Sequence, residues 1–308
     1  MAVGNQIEIV EVGPRDGLQS EPAVLPTTTK VEFIQRAIDG GARRIEVASF
    51  VNPQRVPQMA DAEAVLQALP RREDVHYVGL VLNRRGFERA VAAGCNEIGM
   101  AVMASDTFNQ RNQGVTTAQS IAAWLDIAAA ARAAGSRPQV TVSAAFGCPF
   151  EGEVPLDHVV DIVRRVADAE PFEIALADTI GVGVPAQVSE LVGRVRDAVP
   201  GVALRCHFHN TRNTGLANAF AAVQGGVRTL DSSLGGIGGC PFAPAATGNI
   251  PTEDLVYLLH RSGYRTGLSL AAAIETALWL QEQLGRPVPG MLAKAGEFPR
   301  PRAETASW

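Results

Sequence analysis

Two histidines stand two residues apart in the run Arg205-Cys206-His207-Phe208-His209-Asn210. In a β-strand, residues two apart point to the same face, so a strand ending here turns both imidazoles the same way. Two imidazoles at a strand's end, with Asn210 and Thr211 opening the next loop, are placed to grip a divalent metal. A pair of hydrogen-bonded core histidines satisfies the same spacing, and so short a motif does not choose between the two. The other ligands have to come from elsewhere in the chain.

Polar residues set into apolar runs mark where to look, because a buried charge without a partner is costly. Arg15-Asp16 closes the first such run, Glu46 and Ser49 lie in the second, and Asp178-Thr179 ends a later one. The last run is followed by Gly235-Gly236-Ile237-Gly238-Gly239-Cys240-Pro241 and then Thr247-Gly248-Asn249. Each residue has a structural reading beside the chemical one. Asp16 could cap a loop, Glu46 could pair with Arg15 or Arg44, Asp178 could cap the turn before Gly181, and Asn249 could be a turn residue. Cys240 could be an inert small residue, yet a thiol on a glycine-rich loop, which can move, reads as a delivered acid or base.

The elements that must position these residues repeat along the chain. Apolar, β-branched runs at Ile7–Val12, Arg43–Phe50, Val75–Leu82, Glu97–Val102, Gln139–Phe146, Phe172–Asp178, Ala203–His209 and Arg228–Leu234 read as strands. Helical patterns near Thr29–Asp39, Asp61–Leu69, Arg85–Ala93, Thr117–Ala134, Leu156–Ala169, Ala186–Ala198, Gly215–Gln224 and Thr252–Arg261 alternate with them. Buried strands alternating with helices imply a parallel sheet, and eight such units close into an α/β, (β/α)8 TIM barrel. A doubly wound open sheet is the alternative, but the first loop reads Gly-Pro-Arg-Asp-Gly instead of a phosphate-binding fingerprint. Gly40-Gly41, Ala93-Gly94, Ala134-Gly135 and Gly225-Gly226 fit left-handed helix ends feeding the next strand. Leu270–Leu284 adds an extra C-terminal helix. Residues 1–286 then form one barrel domain, and the Pro/Gly-rich tail 287–308 is expected to be loosely ordered. In such a barrel chemistry sits at the C-terminal ends of the strands, which is where the polar residues above collect.

Apolar residues make up 46% of the 308 and charged residues 19%, which suits a large buried core. A net charge of −5, with no basic block, argues against nucleic acid as a partner. The chain has no apolar stretch of membrane-spanning length and no visible secretory signal, so a cytoplasmic protein without a membrane partner is expected. The cysteines Cys95, Cys148, Cys206 and Cys240 match neither a zinc pattern nor a disulfide framework.

With these positions assembled, the chain resembles the 3-hydroxy-3-methylglutaryl-CoA lyase family from about Ile9 to Leu284. The similarity is carried by VEVGPRDGLQ around Glu11 to Gln19, IEVASFVNP from Ile45, VPQM from Val56, FGCPFEG from Phe146, LADTIGVG from Leu176, HFHNT from His207 and GGCPFAPAATGNIPTEDLVY from Gly238. The resemblance implies a metal-dependent carbon–carbon lyase of acyl-CoA thioesters, a homodimer or higher homo-oligomer, working in leucine degradation. It implies Mg²⁺ or Mn²⁺ held by Asp16, His207, His209 and Asn249, with Arg15 on the thioester carbonyl oxygen and Cys240 as the catalytic cysteine. Glu46 and Asp178 would support Arg15 and the histidines, and Gln19, Ser49, Gln139 and Thr141 would fall on the substrate. The reaction implied is a retro-Claisen cleavage of a 3-hydroxyacyl-CoA to acetyl-CoA, or a related acyl-CoA, and a keto acid. Either His207 or Asp16 would take the alcohol proton.

Departures from the family pattern gather in one region. Gln139 and Thr141 stand where such lyases carry Arg and Tyr, Ala175 where Ser is common, and Asn210 where Asp often follows the second histidine. Losing a cation and a large ring implies a pocket for a bulkier or less charged acyl group than 3-methylglutaryl. A condensing enzyme of the isopropylmalate synthase type, using the same metal and enolate in reverse, is the second reading. A zinc amidohydrolase is the third, although its His-x-His belongs on the first strand and here lies on the seventh.

Overall fold

The computed structural model describes residues 5–239 and 248–299. Eight strands, β1 (Glu8–Glu11), β2 (Arg44–Ser49), β3 (His76–Val81), β4 (Glu97–Met103), β5 (Arg137–Ser143), β6 (Glu173–Asp178), β7 (Leu204–Phe208) and β8 (Thr229–Ser232), pair in sequence order. All pairings are parallel, and β1 closes on β8 from Glu8↔Thr229 to Glu11↔Ser232. The expected (β/α)8 barrel is therefore the fold. Several strands end earlier than the apolar runs do, because the chain leaves the ladder to build the barrel mouth. After β8, for example, the Ser233 amide turns to the Ile250 carbonyl at 3.1 Å.

The covering helices are α1 (Thr27–Asp39), α2 (Ala62–Ala68), α3 (Arg84–Ala93), α4 (Asp106–Gln113), α5 (Thr117–Ala133), α6 (Leu156–Ala167), α7 (Pro185–Ala198), α8 (Gly215–Gln224) and α9 (Thr252–Arg261). Helix α4 was not legible as a helix: its sequence DTFNQRNQ has no apolar stripe, and it is started by the Ser105 side chain accepting the Phe108 amide. Gly41, Gly94, Gly135 and Gly226 do adopt positive φ between helix and strand.

Inside the barrel, the N-terminal end is closed by charge. Arg44 of β2, fully buried, contacts Glu97, reaches Glu173 at 3.0 Å and Glu8 at 2.7 Å, while Arg137 reaches Glu97 at 2.6 Å. One layer nearer the mouth, Thr141, Ala175 and Arg205 lie side by side in register across β5, β6 and β7. The next residue up on β7's inner face is His207.

Helix α10 (Leu270–Leu284) is the extra helix expected after the barrel; Trp279 packs on Phe33 of α1 with ring centroids 6.2 Å apart and lies under Arg36. Beyond it, loose order does not describe residues 287–299. Val288 is buried, the Gly290 amide donates to the Gly235 carbonyl at 3.0 Å, and the Asp254 carboxylate accepts the Met291 and Leu292 amides at 2.9 and 2.8 Å before α11 (Leu292–Ala295). Pro and Gly set the segment's shape, but backbone amides brought against the barrel need acceptors, and Asp254 and Gly235 supply them. Among the described residues, no helix is long and apolar enough to cross a membrane.

Candidate active site

After β1 the chain winds into one wide turn in which the Val12 carbonyl accepts the amides of Arg15, Asp16 and Gly17 at 3.2, 2.7 and 3.3 Å. Only glycine fits at its start, since a Cβ on Gly13 would lie 2.5 Å from the Glu11 carboxylate that accepts its amide. The turn holds Arg15 and Asp16 over the mouth. Arg15 donates through Nη1 to Asp16 Oδ1 and through Nη2 to Glu46 Oε2, each at 2.6 Å, so that Glu46 does support Arg15. The other Asp16 oxygen accepts from Asn249 Nδ2 at 2.8 Å and lies 4.0 Å from His207 Nε2 and 3.9 Å from His209 Nε2.

Burial alone would raise the Asp16 pKa, but Arg15 and then the two imidazoles hold it down at about 2. Burial pushes His209 down to about 4, with His207 adding to the shift, so His209 is neutral at ordinary pH. Burial also works against charge on His207, but the Asp231 carboxylate 3.1 Å from Nδ1 wins and its pKa is raised. For Glu46, burial outweighs Arg15 and the pKa is raised.

Ligand atoms of Asp16, His207 and His209 lie within 4.8 Å of one another, a group able to hold a metal ion. Asn249 adds a buried carbonyl oxygen with no hydrogen-bond partner, and His209 Nδ1 is likewise buried without one. Oxygen and imidazole donors together suit a hard or borderline divalent ion. Backbone approach here is close: a Cβ on Gly238, which has φ 103°, would lie 2.7 Å from Asn249 Nδ2 and 2.9 Å from the Asp16 carbonyl. The glycine run of the sequence thus lets the chain cross directly over the ligand group.

This group opens into a cavity of about 890 Å³ that also reaches Gln19, Glu46, Gln139 and Thr141. Ser49 is buried and donates to Gln19 Oε1 at 2.9 Å, so its hydroxyl serves Gln19. Asp178 shows the turn-capping reading. Its carboxylate accepts the Val182 and Gly183 amides at 2.9 and 2.8 Å, the turn-capping arrangement, and makes no hydrogen bond to the histidines. Burial raises its pKa, and His207 is among the groups that oppose the shift. Cys240 lies outside the described residues.

Two residues of the site were not singled out from sequence. Asp231, at an inward position of β8, is the carboxylate that orients His207. The rule that found Glu46, a charge inside an apolar strand, applies equally to it. Arg205 lines the cavity beside Thr141. It places a cation on β7 in register, through Ala175, with the neutral Thr141 of β5.

A family model described as HMGL-like matches residues 6–278. The chain belongs to the HMGL-like family. It is 46% identical to the (R)-citramalyl-CoA lyase of Chloroflexus aurantiacus over 94% of this chain and 95% of that one. It is 42% identical to the hydroxymethylglutaryl-CoA lyase of Pseudomonas mevalonii, over 91% of this chain and 93% of that one. Among solved structures, an HMG-CoA lyase from A. baumannii in complex with coenzyme A and 3-methylmalate superposes with a TM-score of 0.94 at 40% identity, covering 98% of this chain and 99% of that one. This HMGL-like protein is accordingly a carbon–carbon lyase of that family.

Proposed function

We propose that the protein cleaves a 3-hydroxyacyl-CoA to acetyl-CoA, or a related acyl-CoA, and a keto acid, with a divalent ion held by Asp16, His207, His209 and Asn249. The observation that carries this reading is that the three-ligand group and the Arg15 cation face one cavity from the C-terminal ends of different strands. Mg²⁺ or Mn²⁺ would supply Lewis acidity to the substrate hydroxyl. The hydroxyl proton leaves to a base, the carbon–carbon bond breaks, the hydroxyl-bearing carbon becomes a ketone, and the electron pair passes into a thioester enolate. His207 or Asp16 is the group proposed to take that proton. Arg15, fixed by Asp16 and Glu46, offers its guanidinium to the enolate oxygen, a kind of stabilisation worth roughly 3–4 kcal/mol per donor. Protonation of the enolate carbon, assigned to the Cys240 thiol, completes the acyl-CoA product.

3-Hydroxy-3-methylglutaryl-CoA is proposed to be a poorer substrate than another 3-hydroxyacyl-CoA. Gln139, Thr141 and Ala175 support this, as does the identity to a citramalyl-CoA lyase. We place the protein in the cytoplasm as a homodimer or higher homo-oligomer. The test is acetyl-CoA release from a panel of 3-hydroxyacyl-CoA thioesters, before and after exhaustive chelation. Activity should vanish with chelator and return with Mg²⁺ or Mn²⁺; full activity in metal-free protein would overturn the reading. Best turnover on the 3-methylglutaryl thioester, with kcat/KM of roughly 10⁴ M⁻¹s⁻¹ or more, would overturn the substrate preference alone.

A further inference from the structure

Arg205 is a buried guanidinium whose donors are nearly unused. Nε makes no hydrogen bond, Nη2 reaches only Thr141 Oγ1 at a long 3.5 Å, and Nη1 has no bond among the described residues. Its two acidic neighbours both stand at Nε and at long range: Glu173 Oε2 lies 3.5 Å from Nε and 3.0 Å from Arg44, and Asp231 Oδ1 lies 3.4 Å from Nε while Oδ2 faces His207 at 3.1 Å. A buried guanidinium with five donors ordinarily finds acceptors for them. Here the group borders a cavity, and the side toward β5 is open because Ala175, between Arg205 and Thr141 in register, has nothing beyond Cβ.

We propose that Arg205 is a specificity-determining residue that receives a second carboxylate of the acyl group, with Thr141 and Gln139 beside it. The substrate class is then a 3-hydroxyacyl-CoA whose hydroxyl-bearing carbon carries an acidic arm. This rests on the lyase reading above and narrows it. Distance fits: Arg205 and His207 are two residues apart on the inner face of β7, about 6.6 Å along the strand at roughly 3.3 Å per residue. An acyl group with its hydroxyl at the Asp16, His207 and His209 group would lay a short acidic arm down toward the guanidinium. A carboxylate can meet two guanidinium donors at once, which a neutral methyl or hydroxyl arm cannot. The changes at 139, 141 and 175 are then one unit: small residues on β5 and β6 give the strand-seven cation room to act.

The test compares wild type, Arg205→Gln and Arg205→Lys with Mg²⁺ present. The substrates are citramalyl-CoA and 3-hydroxy-3-methylglutaryl-CoA, which carry the acidic arm, and neutral 3-hydroxy-3-methylbutanoyl-CoA. Wild type should prefer the acidic substrates, and Arg205→Gln should lower that ratio of kcat/KM by about 10–100-fold, the scale of a lost charge-assisted hydrogen bond, mainly through KM. Arg205→Lys should recover part of it. Because Arg205 is buried, Thr141→Asp is made as well; it keeps the arginine but gives it an internal carboxylate, and should erase the same preference. Calorimetry with free 3-methylmalate separates the two proposals, since it needs no turnover: weaker binding to both variants supports the Arg205 assignment even if no thioester is cleaved. An unchanged substrate ratio in folded Arg205→Gln, or unchanged 3-methylmalate affinity in both variants, would overturn it.

Discussion

At the scale of single residues, the site is a set of cations and carboxylates that each fix another's state. Asp231 is the plainest case, because its carboxylate both orients His207 through Nδ1 and raises its pKa. Asp231→Asn should therefore lower metal affinity by about 10–100-fold, the usual cost of losing a carboxylate behind a ligating histidine. The pH profile should move to lower pH as well, since His207 loses the partner that favours its charged form; an unmoved profile would assign Asp231 to Arg205 alone. Cys240→Ser should cut turnover by on the order of 10²–10⁴, the scale of a lost general acid, with metal affinity kept. Wild-type turnover in that variant would send the proton donor elsewhere. The grouping of Asp16, His207 and His209 was legible in sequence because polar residues closing apolar runs stand out in one dimension. Arg205 was not, since its meaning depends on which carboxylates β6 and β8 bring beside it.

At the scale of elements, strand and helix order followed from periodicity, and the misses have local causes. Helix α4 is polar and depends on its Ser105 cap, and the segment after α10 is held by acceptors more than 30 residues away in sequence, such as Asp254 for the Met291 amide. The same region contains two buried carboxylates. Burial drives Glu253 up to about 8 and Glu11 up to about 7 despite the amides they accept. Folded pKa values above the unfolded ones mean that the native state binds more protons. Their contribution is complete below about pH 4.5, the unfolded carboxyl range, and is lost as pH rises through about 7 to 8. Stability in urea should thus fall between those limits. Glu253→Gln, which keeps an acceptor for the Gly235 amide 3.0 Å away, should flatten that fall and gain up to a few kcal/mol on the alkaline side. An equally steep decline in the variant would show that Glu253 is not its source.

At the scale of the whole molecule, the barrel is layered by charge, from the ion network at its N-terminal end, through Arg205, to the metal-ligand group at its mouth. Arg44 ties the lower layer together, contacting carboxylates from three other strands, Glu8, Glu97 and Glu173. Removing it leaves the buried Glu173 without its nearest cation, while Glu97 keeps Arg137; breaking a buried pair in this way typically costs about 3–5 kcal/mol. Arg44→Met should accordingly lower the denaturation midpoint well beyond an ordinary core substitution. The nearest remaining cation to Glu173 is Arg205, already 3.5 Å away. Once Arg44 no longer claims that carboxylate, Arg205 should close on it and stop serving the cavity. The variant is therefore expected to lose affinity for 3-methylmalate while its metal affinity, set one layer higher, stays near wild type. Both affinities falling together would mean that the lower layer supports the whole barrel mouth, and an unchanged 3-methylmalate affinity would mean that Arg44 and Arg205 act independently.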